Sequence, residues 1–97
     1  MKITAEEAKN LYYIAMTVRA EETAKKAELI LDKIESEIYG AATCAVRENH
    51  IGLRSYMVNS DFPDLDMAKK YIAAKVRENG FTAKWDENCT YVLIVKW

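Results

Sequence analysis

Few groups in this chain could do chemistry, and their spacing limits what they could do. There is one histidine, His50, and there are two cysteines, Cys44 and Cys89. Any Ser-His-Asp or Cys-His relay would have to be built on that single imidazole, and no nucleophile motif surrounds Ser36, Ser55 or Ser60. His50 stands where a long helix is expected to end, and a cation there meets the negative end of the helix dipole. The cysteines fall in different expected elements without a CxxC or a second histidine, so neither a disulfide nor a metal site is expected. Asp61, Asp64 and Asp66 in "DFPDLD" crowd together like a cation loop. They lack the glycine and closing glutamate of an EF-hand, and helix capping accounts for them. Three glycines in the whole chain leave no phosphate-cradling loop. The expectation is a protein that is not an enzyme and carries no cofactor.

Groups that could bind rather than react are more numerous. Lys69, Lys70, Lys75 and Arg77 concentrate on one expected helix, a weak footprint for nucleic acid in a chain of net charge −1. Phe81, Trp85, Tyr91 and Trp97 could form a base-stacking platform, but at alternating strand positions a core role is simpler. Nucleic acid is therefore not an expected partner. "LYYIAM" places Tyr12 and Tyr13 on adjacent helix faces, and one small chain does not easily bury both. Tyr39 lies beside a long apolar seam. Tyrosine is favoured at interfaces. Tyr12, Tyr13, Tyr39, Lys69, Lys70 and Arg77 are the candidate contacts for a host protein or a small phosphorylated ligand such as a nucleotide.

The elements that must position these residues follow from the pattern. Ninety-seven residues make one small domain, 51% hydrophobic and 30% charged, with the charges spread evenly. "MKITAEEAKN" does not read as a signal peptide, no window reads as a membrane span, and a reduced, intracellular setting is the simplest reading. Residues 1–39 hold neither Gly nor Pro. "TAEE" offers a capping box, Thr4 with Glu7. Ala20, Ala24, Ala27, Leu31, Ile34, Ile38, Ala41 and Ala45 repeat at alternating spacings of 4 and 3, a heptad seam. The apolar run before it is out of phase with it, and the β-branched pair Thr17-Val18 separates them. Two helices are expected, at about 4–17 and 20–49. Gly40 inside the second either costs helix stability or admits a close backbone neighbour.

After Asn49, "IGLRSYMV" (51–58) reads as a strand. Leu65, Ala68, Ile72 and Val76 mark a helix capped by Asp61 or Asp64 and closed by Gly80. Residues 81–85 and 90–97 read as two further strands, the last apolar on both faces and so central. The expectation is an α+β domain, ααβαββ, with a helical arm (1–49) and a βαββ unit (50–97). Its three-stranded mixed sheet has the order β2-β3-β1, counting the strands at 51–58, 81–85 and 90–97, with one crossover helix. A helix over 20–49 would be about 43 Å long, against about 20 Å for a six-residue strand. The excess seam could be covered by the first helix, by a second copy of the chain or by a partner. The second option makes Ala27, Leu31, Ile34, Ile38 and Ala41 the interface of a homo-oligomer.

Several stretches taken together resemble a known group. These are "TAEEAK", "DKIESEIYGAA" and "AKKYIAAKVRENGFTAKW", followed by "YVLIVKW". They are similar to small accessory proteins of tailed bacteriophages, which tend to end in a short helix, a Gly-aromatic step, a hairpin and a terminal Trp. Asn79-Gly80-Phe81 and Val95-Lys96-Trp97 fill those places, with Lys96 where Ser is usual. The resemblance implies a phage origin and action in the bacterial host cytoplasm or in the virion. It carries no catalytic residues. Two functions fit. One is a binding protein that inhibits a host anti-phage defence factor or sequesters its nucleotide signal as a helix-mediated homo-oligomer. The other is a structural or decoration component of the virion.

Overall fold

The computed structural model describes residues 1–97. Its elements are α1 (Ala5–Thr43), β1 (Glu48–Gly52), α2 (Arg54–Ser60), α3 (Leu65–Glu78), β2 (Thr82–Trp85) and β3 (Val92–Lys96). The class is α+β, but the order is αβααββ rather than ααβαββ.

The two expected N-terminal helices are one. Thr4 Oγ1 accepts a hydrogen bond from the Glu7 amide at 3.1 Å and starts α1. At the expected break, Thr17 satisfies its hydroxyl by donating to the Tyr13 carbonyl one turn back, at 2.9 Å. The change of apolar phase has another cause. The buried residues of α1 are Thr23, Ala27, Ile30 and Ile34, so only the second run meets a core, and the first need not align with it. The buried line also differs from the heptad seam: it shares Ala27 and Ile34, while Leu31, Ile38 and Ala41 are half-buried.

The helix ends at Thr43, six residues before the expected end. The Ala45 amide bonds the Ala42 carbonyl and the Val46 amide bonds the Ala41 carbonyl, both at 3.1 Å. These are the two bonds of a Schellman cap. Ala45 itself is left-handed, with φ 60°, in the position that normally takes glycine. His50 is therefore not at a helix end but in β1.

Residues 51–58 are not one strand. Glu48–Gly52 form β1, and Leu53 and Met57, one helical turn apart and both buried, direct Arg54–Ser60 into α2. Asp64 Oδ1 accepts from the Met67 amide at 3.1 Å and caps α3. Gly80, at φ 91°, closes it. The sheet, counted from the β1 edge, has the order β1-β3-β2, with the C-terminal strand in the middle. Both ladders are antiparallel, so the sheet is not mixed. β1 and β2 point the same way, yet β3 separates them and no parallel ladder forms.

One face of the sheet carries Ile51, Leu93, Val95 and Ala83, all buried, against α1 and α3. The other face is open: Glu48, His50, Lys84 and Lys96 are exposed and Ile94 is half-buried. Three hydrogen bonds from two side chains fasten α3 to the sheet region. The Trp85 indole N–H donates to the Lys69 carbonyl at 2.8 Å, and the Arg77 Nε and Nη2 both donate to the Ala83 carbonyl at 2.9 and 2.6 Å.

Candidate interaction surface on the N-terminal arm

The core of α1 begins at Thr23, whose hydroxyl donates to the Met67 sulphur at 3.7 Å. Before it, residues 5–22 form an arm about 27 Å long on which every residue is exposed except Met16, which is half-buried. The molecule accordingly measures 63 × 25 × 24 Å. At the middle of the arm four large apolar side chains follow one another: Leu11, Tyr12, Tyr13 and Ile14, between 56% and 62% exposed. Successive residues on a helix are about 100° apart, so these four encircle it. The Tyr12 and Tyr13 rings meet edge to face, with centroids 5.6 Å apart. A helix that is apolar all round is normally buried. Here nothing in the chain covers it.

Two other surfaces lie beside α3 and α2. A groove of about 470 Å³ runs between α1 and the C-terminal end of α3, floored by Leu31, Ile34, Ile38, Val76 and Phe81. It takes in three residues of the expected oligomer seam. A shallow hollow beside α2 holds Leu29, which is 71% exposed, next to Tyr56, Lys25 and Lys26.

Of the expected interface, Ala27 and Ile34 are buried by the chain itself, so no second copy is needed to cover them. The other candidate contacts do not converge. Tyr12 and Tyr13 lie on the arm, while Tyr39 is 73% exposed near the far end of α1. Lys69 Nζ sits 4.8 Å over the Trp85 ring, Lys70 pairs with Asp66 at 3.2 Å, and Arg77 is spent on Ala83. Phe81, Trp85, Tyr91 and Trp97 pack half-buried against the core.

The reactive groups are similarly dispersed. Cys44 and Cys89 are free and exposed. Asp64 caps α3 and Asp66 is ion-paired. No three of the His, Cys, Asp and Glu side chains cluster to hold a metal ion. His50 Nε2 lies 3.2 Å from Glu48 Oε1 on the open sheet face. That hydrogen bond, helped by Lys96, holds the Glu48 carboxyl below the usual carboxylate range.

The sequence matches no protein-family model and no curated protein, and the fold matches no solved structure. No helix is long and apolar enough to cross a membrane.

Sequence reasoning picked out Tyr12 and Tyr13 but missed Leu11, Ile14 and Val18. The available signal was the unbroken run "LYYI", which no single face of a helix can hold.

Proposed function

We propose that this chain is a non-enzymatic binding protein whose contact element is the arm of α1. The observation that carries the proposal is the exposed apolar collar at Leu11–Ile14 on a helix with no covering layer. On the phage resemblance, the partner is a host defence factor in the bacterial cytoplasm, and the chain inhibits it by occupying one of its surfaces. Sequestration of a nucleotide signal is the less favoured form, because Lys69, Lys70 and Arg77 each already have a neighbour within the chain. The test is affinity capture from bacterial lysate with the whole chain as bait, beside a bait carrying Tyr12→Asp and Tyr13→Asp. A protein held by the first and lost from the second supports the proposal. Equal recovery on both, or none on either, sinks it.

The elongated shape, with its contact element at one end, favours a second reading, a structural or decoration protein of the virion. Mass spectrometry of purified particles separates the two, since a virion component must be present there in many copies.

A further inference from the structure

The collar has two sides, and they differ in their flanking charges. Glu7, Leu11, Ile14, Val18, Glu21 and Lys25 repeat at spacings of 4, 3, 4, 3 and 4, forming one stripe along the arm. At 100° per residue this stripe lies on the side of α1 opposite Thr23, Ala27, Ile30 and Ile34, and all six of its residues are exposed. Glu7, Glu21 and Lys25 make no ion pair within the chain; the pairs that exist involve other residues.

We infer that this stripe pairs with the same stripe of a second copy, antiparallel, about a two-fold axis level with residue 16. Antiparallel layers bring Ile14 against Val18 of the other copy, and Val18 against its Ile14. The same register sets Glu7 across from Lys25 at both ends, and Leu11 against the aliphatic stem of Glu21. The charge order selects this direction. A parallel pair would set Glu7 on Glu7, Glu21 on Glu21 and Lys25 on Lys25, each a repulsion. The antiparallel pair turns Glu7 and Lys25 into two attractions related by the dyad, as an isologous contact requires. Ala8 and Ala15 flank the stripe and let the helices approach. Most of each body lies on the far side of its own helix, and only α2 comes beside the stripe, at Lys25. Tyr12, Tyr13 and Met16 stay uncovered on the outer side, so the dimer presents two copies of the partner-binding face. The inference rests on the arm being the contact element, and assigns its two sides to two different occupants.

The test is sedimentation of the full chain over a range of concentrations at low salt, with three charge variants. Glu7→Lys and Lys25→Glu should each weaken dimerisation about tenfold, and the double swap should restore it. Both sites are exposed, so the fold is not at stake. A second measurement fixes direction. In chains carrying Cys44→Ser and Cys89→Ser, an Ile14→Cys form mixed with a Val18→Cys form should give mainly the mixed disulfide. Mainly like-with-like disulfides would overturn the antiparallel register. A wild-type chain that sediments as a monomer throughout would overturn the dimer, while capture of a partner dependent on Tyr12 and Tyr13 would be untouched. A wild-type chain that dimerises but captures no protein through Tyr12 and Tyr13 would instead overturn the proposed function.

Discussion

The Thr23 hydroxyl and the Met67 sulphur, 3.7 Å apart, are the most N-terminal side-chain tie between α1 and the rest of the molecule. The helix before Thr23 has no body beneath it, whereas from Thr23 on one side of it, through Ala27, Ile30 and Ile34, is buried in the core. Ile14 and Ile30 therefore sit on one continuous helix in opposite surroundings, the first 62% exposed and the second fully buried. Ile30→Ala should cost about 2–4 kcal/mol in chemical denaturation. Ile14→Ala should cost the isolated chain under about 0.5 kcal/mol. Similar losses at the two sites would mean that the arm folds back onto the body.

A short helix without tertiary support is marginal in water. Backbone amides of residues 8–20 should exchange with solvent much faster than those of residues 27–40 in dilute protein. Their protection should rise with protein concentration if arms pair. Hydrogen exchange followed by mass spectrometry at two concentrations checks both statements.

The end of α1 has its glycine in the wrong place. Gly40 is inside the helix, where an added methyl would meet nothing, and Ala45 occupies the left-handed cap. Gly40→Ala and Ala45→Gly should each raise stability by roughly 1 kcal/mol. The two sites share the last turns of one helix, so the double variant tests their additivity. A fall in melting temperature for Ala45→Gly would contradict the Schellman geometry.

Lys33 Nζ and Glu37 Oε1 lie 2.7 Å apart on α1, both half-buried, with Lys33 over the Tyr56 ring of α2. Their hydrogen bond and mutual attraction hold the Glu37 carboxyl below the ordinary range and the Lys33 ammonium above it. For Glu37 the folded value is the lower one. Its contribution is fully present above the ordinary glutamate range and fades as pH falls through the lowered value. For Lys33 the folded value is the higher one, so its contribution is present below the ordinary lysine range and fades as pH rises through the raised value. NMR titration of the Glu37 carboxyl should give a midpoint below the ordinary range, and Lys33→Met should return it to that range. A midpoint that ignores Lys33 would rule out the pair in solution.

Much of the body was legible because its signals are local. Asp64 as a cap, Gly80 as a stop, and Ala68, Ile72 and Val76 at helical spacing each point to α3 independently. β3 reads as central because it is apolar at successive positions, and a strand flanked on both edges is what the sheet contains. The misreadings arose where local signals were absent or ambiguous. Nothing in the residue type of Ala45 marks a left-handed cap. "ENH" hides the first half of β1 because its outward residues are polar, while Leu53 and Met57 belong to a helix too short to show a period. The heptad seam was real as a spacing, but α3 and the sheet rest on a line beside it, through Thr23 and Ile30. Exposure of the arm was legible only in the run "LYYI"; elsewhere it depends on where the body ends rather than on the arm's own composition.

The absence of a hinge in α1 has a mechanical consequence. Eighteen flexible residues would let a tethered site wander over a root-mean-square distance of about 21–25 Å in any direction. A continuous helix instead holds Tyr13 about 26 Å from Ile30 along one axis, at a fixed rotation about that axis. Whatever grips the arm thereby aims the body, and torque applied at one end is delivered to the core at the other. The chain can act as a lever as well as a handle, setting the bearing of its open sheet face relative to anything that holds its N-terminus.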